Sequence, residues 1–246
     1  MNLEPSSQLN LFSHKVEFHK LIDLYKDNNL PNKILFSGEL SDETLCYLYG
    51  ANAPSEKDFQ METINLVSNV HLFDCLRANK MCMANSFEVR VPFTDIDYVK
   101  YILSLHPQWK TFGSLSRNHI EKQILRDSFV GYLPKQILYR KKEQFSDGVG
   151  YSWIDTLKEV VDKEVSDEQM KNAHFRFPVQ TPLNKEEFYY RTLFEAHFPS
   201  EAAALCVPQE PSVACSTKIA LEWDEAFKNL NDPSGRAVAK VHDDAY

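Results

Sequence analysis

The apolar positions of this chain recur mostly three and four residues apart, the spacing of a helix with one buried face. Segments rich in Pro, Asn and Gly, such as DNNLPN, CVPQEP and NDPSG, separate the patterned stretches. The pattern therefore predicts a mainly helical chain, with helices at Lys15–Lys26, Glu62–Asn85, Asp97–Leu105, Ser116–Val130, Pro134–Tyr139, Tyr151–Val165 and Lys185–Ala196.

One short run departs from the helical pattern. Lys33–Phe36 (KILF) is continuously apolar after its lysine and ends at Ser37-Gly38, which predicts a strand, the one clear strand in the sequence. Ser41 is expected to cap a helix after it, with Asp42 and Glu43 in the first turn. A lone strand leaves backbone groups unpaired unless other strands flank it, so the sheet looks incomplete.

Composition narrows the class of partner. The 246 residues carry a formal net charge of −8 and are 43% hydrophobic, which suits one sizeable core and argues against nucleic acid or an acidic membrane as the partner. The N-terminus has no continuous apolar run, and the five cysteines form no CxxC pair. We therefore expect a cytoplasmic protein with reduced thiols. We expect one domain over residues 1–200 and a partly mobile C-terminal extension over 201–246.

The segment LFSGELSDETL has the layout of strand, tight loop and helix, which places backbone N–H groups where phosphates bind. Its loop carries the carboxylates Glu39, Asp42 and Glu43, which repel a bare phosphate but could hold a magnesium ion that accompanies one. The alternative interpretation is a surface helix whose acids complement its dipole. The residues alone leave both open.

Five further charged residues are candidates with equally plain alternatives. Asp74 and Arg77, at i and i+3, form either an internal ion pair or one side of a ligand site. Arg90 either anchors the turn before Pro92 or reaches an anion. Lys142 and its neighbour Lys141 either neutralise phosphate or lie on a solvated surface. The eight histidines show no metal-binding spacing, so we assign no metal ligands.

The blocks SGELSDE, HLFDCLRANK, EVRVPF and RKKEQFSDGVGYSW occur in an order that resembles the synthetase domain of asparagine synthetase. The resemblance covers roughly residues 33–236 and implies an α/β fold of the adenine nucleotide alpha hydrolase type. It also implies ATP, magnesium and aspartate as ligands, and a ligase reaction through a β-aspartyl-AMP intermediate. By this resemblance the functional residues divide into an acid/base group, Glu39; ATP or pyrophosphate contacts, Ser37, Gly38, Asp42 and Lys142; and the substrate pocket, Glu43, Asp74 and Arg77.

The departures from that family concern glycines. Leu40 and Cys46 stand where the family has glycine, and Asn85-Ser86 stands where it has a Trp-Gly pair. A branched residue at position 40 costs about 1–2 kcal/mol if the backbone there is left-handed. The family's first phosphate loop, with its Leu-Asp-Ser ending, is absent from the sequence, and Asn2 is not the cysteine that a glutaminase needs.

Three hypotheses follow. The chain is one wall of a ligase site whose other wall another chain supplies, or a non-catalytic remnant that binds a full-length synthetase, or a truncated part of a longer protein. Under none of them do we expect this polypeptide alone to make asparagine.

Overall fold

The computed structural model describes residues 34–142, 152–207 and 217–224. The predicted helix at Lys15–Lys26 and the loop SDGVG lie outside these residues. Within them the chain is mainly helical, as predicted. The helices are α1 (Ser41–Leu45), α2 (Glu56–Asn69), α3 (Asp74–Ala84), α4 (Ile96–Ser104), α5 (Gln123–Ser128), α6 (Lys135–Leu138), α7 (Ser152–Glu164), α8 (Asp167–Lys171), α9 (Ala173–Arg176), α10 (Lys185–His197) and α11 (Glu201–Leu205).

The expectation of a single strand was wrong. Strand β1 (Ile34–Phe36) pairs in parallel with β2 (Glu88–Arg90), with Leu35 opposite Val89. The ladder continues past β1, because the Ser37 amide donates to the Arg90 carbonyl at 2.9 Å. Strand β2 could not be predicted from the sequence EVR, because a three-residue strand with a charged residue at each end has too few alternating apolar positions to be recognised. The Arg90 side chain is exposed and pairs with Glu88 at 2.6 Å.

The long helix predicted from Glu62 to Asn85 is interrupted. Helix α2 ends at Asn69, a 3-10 turn covers Val70–Leu72, and α3 begins at Asp74. Phe73 lies between them with φ −122° and ψ −105°, outside the helical region. The break places Asp74 in the first turn of α3, where a carboxylate interacts favourably with the helix dipole.

Two separate clusters of buried residues hold the chain together. The first packs Phe59 edge-on against Phe112 at 6.1 Å and includes Ala220 from the C-terminal segment 217–224. The second lies where α7 and α10 pack together and centres on Phe177 and Phe188. The functional candidates lie beside the first cluster, because α1 leads directly into it. The division proposed at residue 200 stays a prediction.

Within the described ranges, no helix combines the length and apolar character needed to cross a bilayer.

Candidate functional site

The loop between β1 and α1 forms one side of the candidate site. Ser37 continues the ladder with Arg90, and the Glu39 amide donates to the Ser37 hydroxyl at 3.4 Å. Gly38 is exposed, and a Cβ added to it would meet no atom within 4 Å. The loop backbone is therefore open to a ligand at the carboxyl end of a parallel strand, the usual position of nucleotide sites in such sheets.

Helix α1 begins from an unusual residue. Leu40, rather than Ser41, occupies the N-cap position, with φ 75°, ψ −10° and no side-chain cap. The left-handed conformation costs a branched residue about 1–2 kcal/mol. The Leu40 side chain is only 3% exposed, so burial of that side chain offsets the strain. The backbone of Leu40 therefore has the left-handed conformation whose cost was considered in the sequence analysis.

A positive φ recurs at the other two departures from the family pattern. Cys46 has φ 64° and ψ 151°, a region that is almost exclusive to glycine. Ser86 has φ 61° just beyond the end of α3. All three positions where the resemblance implies glycine therefore have positive φ, and this chain adopts those conformations with other residues.

A tyrosine links two of the candidate acids. The Tyr47 hydroxyl lies 2.8 Å from Oε1 of the buried Glu43 and 2.9 Å from Oδ2 of Asp74. Since the hydroxyl carries one proton, it donates to one carboxylate at a time. Asp74 also pairs with the buried Arg77, whose Nε has no hydrogen-bond partner among the described residues. The bridge joins α1 to α3 and brings Glu43, Asp74 and Arg77 together.

Burial and like charge perturb the acids of the loop. Burial, with the neighbouring charge of Glu43, raises the pKa of Glu39 to about 7 from an ordinary 4.5, against the opposing charges of Arg77 and Lys142. Burial and the charge of Asp42 also raise the pKa of Glu43. Glu39 is therefore suited to exchange a proton near neutral pH.

Asp42 behaves differently because two lysines face it. Lys122 pairs with Oδ1, and Nζ of Lys142 lies 3.5 Å from Oδ2. Burial alone would raise the pKa of Asp42, but the charges of Lys122 and Lys142 outweigh it and hold that pKa below its usual value. Asp42 therefore stays ionised while Glu39 is able to protonate.

The structure thus brings together six of the predicted side chains: Glu39, Asp42, Glu43, Asp74, Arg77 and Lys142. Arg90 does not join them. Sequence reasoning missed Tyr47 and Lys122. Lys122 gave no local signal, since its partner Asp42 lies 80 residues away in the chain. Tyr47 could have been found from its position four residues after Glu43, which places both on one face of a helical turn.

The carboxylates of the site determine where a magnesium ion could bind. No group of three or more His, Cys, Asp or Glu side chains in the described ranges is arranged to hold a metal ion. Both carboxylate oxygens of Asp42 face lysines, which leaves Glu39 and Glu43 as carboxylate donors beside the loop. One or two carboxylates together with phosphate oxygens are a common coordination for magnesium, so these two acids fit an ion that arrives with a nucleotide.

Comparison with known proteins agrees with the resemblance seen in the sequence. Asparagine synthetase B (glutamine-hydrolyzing) of Escherichia coli is 52% identical over 215 residues, which are 87% of this chain and 38% of that relative. Two plant asparagine synthetases, from Oryza sativa and Arabidopsis thaliana, are each 51% identical over 90% of this chain. The chain thus spans less than two fifths of the length of these relatives. The family model described as asparagine synthase matches residues 6–224, and this protein therefore belongs to the asparagine synthase family.

Proposed function

We propose that this chain forms the acidic and lysine-bearing side of a site at which ATP activates the side-chain carboxylate of aspartate for conversion to asparagine. One observation carries the proposal. In a member of the asparagine synthase family, the loop after a parallel strand meets Asp74, Arg77 and Lys142 around a glutamate with a pKa of about 7.

The proposed reaction has two steps. An oxygen of the aspartate side chain attacks the α-phosphorus of ATP, the bond to the bridging oxygen breaks, and pyrophosphate leaves. Ammonia then attacks the carbonyl carbon of β-aspartyl-AMP, and AMP leaves with the bonding electrons. The attacking nitrogen becomes positively charged as its bond to carbon forms, and Glu39 accepts the proton that it then loses, a role that suits the raised pKa of Glu39.

The other side chains bind and orient. Lys142 neutralises phosphate oxygens, while Ser37 and Gly38 offer an open backbone to the nucleotide. Glu43 and Asp74, held together by Tyr47, supply negative charge for the α-ammonium group of aspartate. Magnesium that accompanies ATP would be held by Glu39 or Glu43 and would offset charge on the departing pyrophosphate.

We extend the proposal to the fold. The parallel pairing of β1 with β2, and a site at the carboxyl end of β1, support a sheet of the adenine nucleotide alpha hydrolase type. Two strands are few for a parallel sheet, which is normally covered on both faces. We therefore propose that turnover needs the remainder of the relatives' length, on the same polypeptide or on another chain.

The test measures ligand binding before activity. Magnesium-ATP with aspartate should raise the unfolding free energy by about 2.7 kcal/mol at 100 times the dissociation constant. Glu39→Gln should lose the formation of asparagine from ammonia once the complementary part is present, while ATP-dependent pyrophosphate release continues. Glu159→Gln, on the exposed face of α7, is the control and should keep both.

A contrary outcome is equally specific. If millimolar magnesium-ATP and aspartate leave the melting temperature unchanged, with and without the complementary part, the ligase proposal fails. The alternative is then an interaction module that binds a full-length synthetase, and co-purification with such an enzyme would support it.

A further inference from the structure

A series of ion pairs, in which acidic and basic side chains alternate, extends from Asp42 into the protein interior. Lys122, which pairs with Asp42, also lies 3.0 Å from Oε1 of Glu121. The other carboxylate oxygen of Glu121 accepts a hydrogen bond from Nη2 of Arg126 at 2.7 Å. The side chains of Glu121, Lys122 and Arg126 are 1%, 12% and 10% exposed, so these contacts form away from bulk water.

Arg126 extends the chain of contacts to the segment that carries Lys142. Its Nη1 donates to the carbonyls of Leu138 at 2.5 Å and Arg140 at 3.1 Å, and its Nε donates to the Glu121 carbonyl at 2.7 Å. Arg140 precedes Lys142 by two residues, and Lys142 reaches back to Asp42 at 3.5 Å. The contacts therefore close a ring, which we call the Asp42 ring: Asp42, Lys122, Glu121, Arg126, the 138–142 backbone and Lys142.

The geometry of Lys122 is costly for a residue that only caps a helix. It occupies the N-cap position of α5 with φ 56° and ψ 31°, yet its side chain makes no capping hydrogen bond. Strained backbone and a buried ammonium group persist only where the surrounding contacts over-determine them. Two carboxylates, the buried Glu121 and the partly buried Asp42, compensate for the charge of Lys122, and Asp42 belongs to the candidate site.

We propose that Lys122 is a positioning residue whose ammonium group, through the Asp42 ring, sets the separation of Asp42 and Lys142 so that the Lys142 ammonium can face the phosphates of a nucleotide. This inference rests on the proposed function for its ligand, but the ring can be tested without ligand. Without Lys122, Lys142 is the cation that still pairs with the Asp42 carboxylate among the described residues, and it is drawn toward that carboxylate.

The first experiment measures this displacement in the ligand-free protein. Acetic anhydride labelling with quantitative mass spectrometry gives the reaction rate of the Lys142 amine relative to the exposed Lys80 in the same molecule. In Lys122→Met that ratio should fall about threefold, because the Lys142 amine is held more closely by the Asp42 carboxylate and is less available to the reagent. Lys122→Arg should restore the ratio, because a guanidinium can still bridge Asp42 and Glu121.

A second variant protects the test against misfolding. Lys122→Met leaves Asp42 partly buried without its main partner, whereas Lys122→Met combined with Asp42→Asn removes both charges and should fold. In the double variant the labelling ratio should rise to at least the wild-type ratio, since the neutral amide at position 42 no longer attracts Lys142. A ratio that stays low in the double variant would overturn the proposal.

The second experiment measures the dissociation constant for magnesium-ATP by calorimetry. We expect about tenfold or weaker binding in Lys122→Met, the equivalent of one charge-assisted contact, and near wild-type binding in Lys122→Arg. Equal affinity in wild type and Lys122→Met would refute positioning. If the labelling ratio falls as expected but the wild type binds no ATP, the positioning of Lys142 by the Asp42 ring is supported and the proposed function is refuted.

Discussion

Replacing Ser86 with glycine should stabilise this protein, because Ser86 holds a backbone conformation that favours glycine. At the end of α3 the Phe87 amide donates to the Cys82 carbonyl at 2.8 Å, and the Ser86 amide donates to the Met83 carbonyl at 3.0 Å. This pair of hydrogen bonds is the Schellman motif, which places its left-handed residue at position 86. Glycine is the usual residue there.

The magnitude follows from two opposing effects. Relief of the left-handed strain contributes about 1–2 kcal/mol, and the extra freedom of glycine in the unfolded chain costs about 0.5–1 kcal/mol. Ser86 is exposed and its hydroxyl makes no hydrogen bond to a described residue, so the substitution removes no other contact. The net gain should be about 0.5–1 kcal/mol, or about 1–4 °C in melting temperature for a chain of this size.

Urea and thermal unfolding, followed by circular dichroism, measure the change. Ser86→Ala is the matched control, since it removes the same hydroxyl but keeps a Cβ at positive φ, and it should not stabilise. Ser68→Gly, on an exposed helical position of α2, should instead destabilise by about 0.5–1 kcal/mol. The reasoning is refuted if Ser86→Gly is no more stable than Ser86→Ala.

Three further predictions use the same unfolding assays. Gly113→Ala should destabilise by several kcal/mol, because its Cβ would lie 2.5 Å from that of Ala51, whereas Gly131→Ala meets nothing within 4 Å and should cost only the strain of positive φ, about 1–2 kcal/mol. Similar losses at the two glycines would contradict this. Leu40→Gly should destabilise despite relieving strain, since loss of a buried leucine costs about 2–5 kcal/mol against about 1–2 kcal/mol gained; a more stable variant would show that strain dominates. The pKa of Glu39 is 4.5 in the unfolded chain and about 7 in the folded protein, so between these pH values the folded protein binds more protons. The contribution of Glu39 to the free energy of unfolding is therefore full below pH 4.5 and is lost as the pH rises through 7. Glu39→Gln should therefore exceed wild type by about 1–3 kcal/mol at pH 8 and lose that advantage near pH 4.5, and a gap independent of pH would exclude the raised pKa.

The elements that could be predicted from the sequence are those with a sustained period. Helices α4, α7 and α10 match the predicted positions closely because their apolar residues repeat over enough residues to define a face. Strand β1 was predicted instead from a continuous apolar run that ends at Ser37-Gly38. The break at Phe73 could not be predicted, since no Gly or Pro marks it and the stripe through Val70 continues into Arg77. That interruption depends on tertiary packing rather than on local preference.

The residues of the candidate site also divide into those that could be predicted from the sequence and those that could not. Glu39, Asp42 and Glu43 stood out because they follow a strand directly, and local spacing paired Asp74 with Arg77. No local rule brings these two groups together, and only the resemblance to a family implied that they meet. Lys122 shows what remained hidden: an ordinary lysine in sequence becomes a bridge only after the chain folds back over 80 residues.

The buried Glu62 makes the C-terminal segment necessary to the fold. Its carboxylate is 2% exposed and accepts hydrogen bonds from Tyr49 at 2.6 Å and from Thr217 at 2.8 Å. A polypeptide that ended before Thr217 would lose the hydrogen-bond donor to one oxygen of this interior acid and the Ala220 side chain from the first cluster. Variants shortened for expression should therefore keep residues through at least 224 to retain these contacts.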